Sequence, residues 1–368
     1  MKEPMRSEGT RRRRCLERGL RIAAAVGIAA GVLHGPIAAA DEPTSRIRGI
    51  DVYRTTQLDP RDLVRSYEPM IRDLAKAIDA RDEEAVTRLY PQLMGSIVAL
   101  GDFAYAQLGI TTTFADGENL IDVSIELVDP ADAAARLSFA PEPTGSIPDP
   151  GGLLDAWQEY QDTAFELART RQIEPTVGEC PAHHCIWEFT HPALAPFLSR
   201  FDRGAREHHD ALVRVLRNDA DPRKRANAAF VLAHLDDAEQ LVLDLVPSLE
   251  DPVGGVRNNV MRVLAAIAER DDDIEIPFAP LAKRIDDPDS ACRNKAAELI
   301  AALAHRPEYR DDILAAAPGL MRLLRLQKPN NHEPAYEILK TISGADFGPR
   351  DYARWEAWIE EARGAQPR

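Results

Sequence analysis

Three stretches decide the fold: RANAAFVLAHL (residues 225–235), RNNVMRVLAAI (257–267) and RNKAAELIAAL (293–303). The arginines that open them, Arg225, Arg257 and Arg293, are 32 and 36 residues apart. Each stretch follows an Asp-Pro pair, Asp221-Pro222, Asp251-Pro252 or Asp287-Pro288, and each pair follows an apolar segment, ALVRVL, LVLDLVPSL or FAPLAKRI. A weaker fourth copy, PAYEILKTI, starts at Pro334 after GLMRLL. Self-similarity at this period marks an array of helical hairpins, each of which buries its apolar face only against its neighbours. Asp before Pro suits a turn that caps the next helix, because Asp accepts backbone N–H groups and Pro fits the first helical turn. The alanines let paired helices approach closely, and the Leu/Ile/Val stripe packs between hairpins. A regularly placed arginine can bridge to the aspartate of its own or of the adjacent turn. Asp221, Arg225, Asp251, Arg257, Asp287 and Arg293 are therefore expected to form a structural ladder and not a ligand site.

Residues 205–345 resemble HEAT repeats, in particular the short bacterial type also seen in phycobilisome lyases. That resemblance implies an α-solenoid with a concave binding surface. The tail, ISGADFGPRDYARWEAWIEE, resembles the closing segment found after such repeats in exported bacterial proteins. Trp355 and Trp358 are three apart and share a helix face, so residues 346–368 should cap the last hairpin. Asp346-Phe347-Gly348 lacks the glycine-rich loop and H-R-D segment that would make it a kinase magnesium motif.

The N-terminal half has a different pattern. IRGIDV (47–52) reads as a strand, and Asp59-Pro60 opens a helix with Leu63, Met70, Leu74 and Ile78 on its apolar side. Residues 82–100 form a second helix containing Pro91. GITTTFADGENLIDVSIELV follows as a hairpin turning at Asp116-Gly117. In it Ile121, Val123, Ile125 and Leu127 alternate with Asp122, Ser124 and Glu126, the pattern of a half-buried strand. Asp122, Glu126 and Asp129 lie close together, which reads as an exposed acidic face. The order β-α-α-β-β over residues 46–130, with LGDF before the hairpin, resembles a POTRA (polypeptide-transport-associated) domain. That likeness implies a periplasmic module that adds strands to its partners. Arg54 stands where that family usually has glycine.

A compartment is written at the start of the chain. Arg6, Arg11 to Arg14, Arg18 and Arg21 form a basic leader, Ile22 to Leu33 an apolar run too short for an anchor, and Ala38-Ala39-Ala40 a cleavage site. Residues 1–40 therefore read as a signal peptide, and the protein as periplasmic or extracellular. The formal net charge is −15, and since the leader holds eight Lys/Arg against three Asp/Glu, the remainder carries −20. So acidic a chain is a poor ligand for nucleic acid or anionic membrane. The expected order after the leader is an α+β domain over 41–139, a Pro/Gly linker over 140–152, a helix with a Cys/His connector over 153–204, and then the repeats. The fold class is mainly α.

Only CPAHHC (180–185) looks like chemistry. C-type haem and thioredoxin-like motifs need C-x-x-C, which is absent. In an oxidising space Cys180 and Cys185 should form a disulfide and leave Cys292 as a buried thiol. The alternative is a metal site drawn from Cys180, His183, His184, Cys185 and His191, with Cys180, His184, Cys185 and His191 as a four-ligand set for zinc. His208-His209 should be solvated. No nucleophile elbow, zincin, Walker or dinucleotide motif occurs, so no catalytic residue and no cofactor are assigned. The reading is an exported scaffold that binds a protein partner, with a metal-binding protein or a repeat-type lyase as rivals.

Overall fold

The computed structural model describes residues 45–80, 82–115, 118–174 and 180–364. The leader and the Asp116-Gly117 turn lie outside the described residues. Strand β1 (Ser45–Tyr53) leads into helices α1 (Pro60–Asp79) and α2 (Glu83–Val98), followed by β2 (Tyr105–Ala115) and β3 (Glu118–Val128). Asp59 caps α1 by accepting from the backbone of Arg61 at 2.7 Å and Asp62 at 3.4 Å, as the Asp-Pro signal requires. The sheet order is β1-β3-β2, with β2 antiparallel to β3 and β1 parallel to it. Parallel pairing demands a long crossover, which α1, α2 and β2 provide. Leu63, Ile71, Leu74, Leu93 and Ile97 of the helices cover Ile121, Val123, Ile125 and Leu127 of β3.

The other face of β3 corrects the expectation of a half-buried strand. Asp122, Ser124 and Glu126 are buried as fully as their apolar neighbours. The alternation was real, but its polar side faces protein and not water. Arg54, just past β1, has φ +62°, a backbone normally left to glycine. Its guanidinium pairs with Asp286 and Asp132, contacts glycine could not make.

After the short helix α3 (Ala133–Arg136) the chain forms α4 (Leu153–Arg169), α5 (Ala195–Glu207), α6 (His209–Asn218), α7 (Pro222–Leu232), α8 (Ala238–Leu245), α9 (Gly254–Arg270), α10 (Phe278–Ala282), α11 (Ser290–Leu303), α12 (Arg310–Leu324), α13 (Pro329–Ser343) and α14 (Tyr352–Gly364). The arginine-bearing helices α7, α9 and α11 stack in sequence, and α13 packs on α11. The helix of the fourth copy begins at Pro329 and carries Pro334 inside it. Alanine makes the stack tight: Ala228, Ala229, Ala265, Ala296 and Ala297 are all buried. Trp157 of α4 stacks on Phe230 of α7 with ring centroids 5.3 Å apart. At the far end Trp355 is fully buried beside Phe347 and Trp358, and Gly344 ends α13 in the left-handed conformation.

Residues 140–152 run as a strap along the repeats. Ala140 N–H donates to Glu250 O at 2.7 Å, and Gly145 exchanges bonds with Asn218 and Ala220 at 2.9 and 2.7 Å. A Cβ on Gly145 would fall 2.4 Å from Asn218 O, so this crossing needs glycine.

Candidate functional site

The ladder fixes the geometry of the molecule. Arg225 Nε and Nη2 bond Asp251 at 2.7 and 2.9 Å, and Arg257 Nε and Nη2 bond Asp287 at 2.9 and 2.7 Å. In each case Nη1 bonds the carbonyl six residues back, Asp219 O at 2.8 Å and Asp251 O at 2.7 Å. All four charged side chains are at least 96% removed from solvent. Bidentate geometry with a third bond to a carbonyl is what a buried guanidinium needs.

The register of the first rung differs from the Asp-Pro alignment. The aspartate six residues before the arginine is Asp219, and its carboxylate accepts from Asp221 N–H at 2.8 Å, as Asp251 does from Val253 and Asp287 from Asp289. Asp221 is instead the cap of α7, bonding Arg223 N–H at 2.9 Å. The segment NDADP places two aspartates two apart, and proline marked the wrong one. Among the described residues no arginine reaches the Asp219 carboxylate; its other oxygen accepts from Ile147 N–H of the strap at 2.9 Å and lies 3.5 Å from Lys224 Nζ.

At the other end Arg293 has no following aspartate, because Leu326 stands two residues before the first residue-capping position of α13, Lys328. The sheet fills the gap with two carboxylates. Glu126 of β3 pairs with Arg293 Nη1 and Nη2 at 2.7 and 2.8 Å, both side chains 1% exposed. Asp51 of β1 accepts from Lys328 N–H at 2.9 Å, the bond the missing aspartate would have made. Arg293 also bonds Asp287 O at 2.7 Å and lies over the Tyr53 ring at 3.6 Å. Burial disfavours its charge, but Glu126 more than offsets this and its pKa lies above the ordinary value. Burial pushes the Asp51 carboxyl up, against the lowering effect of the Gln327 and Lys328 amides. Lys328, itself depressed by burial, reaches Thr111 Oγ1 at 2.8 Å and Ser290 Oγ at 3.3 Å. Asp122 is held by Arg48, and Asp129 accepts from Thr55, Thr56 and Gln57 in the loop after β1. Of these three acidic residues Glu126 spans the junction, while Asp122 and Asp129 are held within the N-terminal unit.

The Cys/His residues are spread apart. Cys180 and Cys185 lie at disulfide distance, with Cα atoms 5.6 Å apart, and Cys292 is a buried free thiol. His184 stacks on Phe230 with centroids 5.3 Å apart, and burial, with help from Arg262, Lys295 and Arg270, pushes its pKa down to about 3. His183 N–H donates to Ala233 O at 2.9 Å, and His191 Nδ1 accepts from Ala193 N–H at 3.2 Å. Among the described residues no group of three or more His, Cys, Asp or Glu is placed to hold a metal ion. The sequence-based set Cys180, His184, Cys185 and His191 is therefore not brought together. The expectation for His209 is also corrected: its Nε2 bonds Asp244 at 2.6 Å.

Where the sheet meets the repeats a groove of about 780 Å³ opens between the outer edge of β1, the start of α1 and the end of α12. Arginines from three segments line it, and nothing in the sequence pattern linked them.

These features define the class: a helical repeat array with a small three-stranded sheet docked against its turns. Residues 210–301 match the family model of HEAT repeats, which supports a HEAT-like repeat protein. No curated protein and no solved structure matches the chain. Among the described residues no helix is long and apolar enough to cross a membrane.

Proposed function

We propose that the protein is an exported, non-catalytic scaffold that holds a protein partner. The observation that carries this reading is the continuous run of buried Arg–carboxylate rungs, closed at one end by the strap and at the other by Glu126 and Asp51. A surface so braced is set before the partner arrives, which lowers the ordering cost of association. Repeat arrays present such surfaces. In this reading the N-terminal unit is POTRA-like: its β-α-α-β-β order leaves β1 and β2 as edges of a three-stranded sheet, and an edge can accept a further strand. Export rests on the leader, and N-terminal sequencing of protein from the envelope should begin at Asp41.

A photo-crosslinking scan in the producing cells tests the scaffold. Probes at exposed positions such as Phe165 and Leu243, and along the groove, should give a discrete adduct confined to one face. Adducts from no position, or equally from every position, would sink the proposal.

A further inference from the structure

We propose that the groove at the sheet–repeat junction is a recognition site for an acidic, extended segment of that protein partner. This rests on the scaffold reading and names the chemistry of its ligand. Arg54, Arg61, Arg65, Arg322 and Arg325 line the groove against two carboxylates, in a chain whose formal net charge is −15. Both carboxylates are already engaged: Asp51 with the amides of Gln327 and Lys328, and Glu68 with Arg72 at 3.0 Å. Arg54 pairs with Asp132 and shares Asp286 with Arg322, and Arg325 pairs on the exposed surface with Glu356. Arg61 pairs with no carboxylate among the described residues, and it sits in the first turn of α1, where the helix dipole disfavours a cation. Folding gains nothing from a cation there, whereas a bound carboxylate would.

The arrangement suits a strand-like ligand. Arg61 and Arg65 are one helical turn apart on α1 and so share a face. Arg322 and Arg325 are similarly spaced on the opposite wall. Exposed pairs such as Arg65–Asp62 at 3.0 Å contribute little and can be exchanged for a ligand's carboxylates. Val52, Val64 and Leu326 supply apolar lining between the charges. An extended segment presents alternate residues to opposite sides, so acidic residues can meet the guanidiniums while apolar ones rest on this lining. The volume lies within the range of about 300–1,000 Å³ common to ligand pockets. The net negative charge of the whole chain repels long polyanions, which favours a short protein segment over nucleic acid.

Fluorescence anisotropy on the whole chain decides the matter. The probe is a labelled peptide of about eight residues alternating Glu with Val, with a Gln-for-Glu peptide and phosphatidylglycerol vesicles as comparisons. The acidic peptide should bind, and raising the salt from about 0.05 M to about 0.5 M should weaken it. Arg61→Glu/Arg65→Glu should weaken it about tenfold or more, and Arg61→Gln/Arg65→Gln by less. Acidic residues in the first turns of a helix are tolerated, and circular dichroism checks each variant's fold. Arg325→Glu tests the opposite wall independently. Equal binding of the Gln peptide, unchanged binding by the charge-reversed variant, or binding of vesicles but not peptide overturns the proposal. Cross-linked adducts that persist in the Arg61→Glu/Arg65→Glu variant would sink this site while leaving the scaffold standing.

Discussion

Replacing Glu126 by Ala is the most direct test of how the two parts are joined. Glu126 and Arg293 are each 1% exposed and share two bonds, at 2.7 and 2.8 Å. Removing one partner of a buried pair costs about 3–5 kcal/mol, because the other charge remains buried. Arg293 keeps its bond to Asp287 O and its place over Tyr53, and a desolvated cation–π contact contributes about 2 kcal/mol. The lower end, about 3 kcal/mol, is therefore expected. With a urea slope of about 3 kcal/mol per molar, the midpoint should fall by about 1 M. Glu126→Gln keeps an acceptor and should lose less. The double variant Glu126→Leu/Arg293→Met removes both charges and should lie within about 1 kcal/mol of the parent, since apolar replacements of buried pairs are often neutral. Urea unfolding followed by circular dichroism and tryptophan fluorescence completes the double-mutant cycle. Single-variant losses below about 1 kcal/mol, or losses that simply add, would refute the coupling and with it the account of the junction.

Three further outcomes are expected. His184, held at about 3 against an ordinary 6.5, binds its proton less readily folded than unfolded. Its contribution is complete above pH 6.5 and is lost as pH falls toward 3, at about 1.4 kcal/mol per unit; His184→Phe should flatten that stretch of the stability profile, and an unchanged slope would refute the assignment. Alkylation of unreduced, denatured protein should label Cys292 and neither Cys180 nor Cys185, and Cys180→Ser/Cys185→Ser should cost about 2 kcal/mol, as a short loop predicts; label on either paired cysteine counts against the bridge. A Cβ at Gly109 would fall 2.8 Å from Ser124 Oγ and 3.1 Å from Ser290 Oγ, so Gly109→Val should cost about 1–3 kcal/mol in thermal unfolding, and a neutral variant would mean the sheet has room to move off the repeats.

Local signals carried much of the architecture. The aligned arginines marked the repeat helices, and the switch from a period near 3.6 to a period of two separated the repeats from the sheet. The order of strands and helices in the N-terminal unit could be read along the chain. What could not be read was long-range. Alternation shows that a strand has two faces but not what covers the polar one, and Glu126 meets a guanidinium 167 residues away. One clue was present: Arg293 repeats its neighbours' position, yet the turn that should answer it reads Leu326-Gln327-Lys328 and offers no aspartate. A repeated cation without its repeated partner calls for a carboxylate from elsewhere. The Arg-lined groove left no such trace, because its walls are far apart in sequence.

The ladder runs one way, each arginine reaching forward to a residue made later, until the last reaches back to a strand made earlier. A ribosome therefore releases Glu126 well before the cation that neutralises it, 167 residues later. At about 5–20 residues per second the interval is about ten to thirty seconds. Throughout it Asp51, Asp122 and Glu126 have no repeat against which to be buried. A chain cut short before Arg293 stays in that condition permanently, with a sheet whose inner face attracts water and resists docking. Synthesis as far as Lys328 is thus recorded on the N-terminal sheet, and a protease or chaperone could detect a chain cut short before that point by probing the sheet alone.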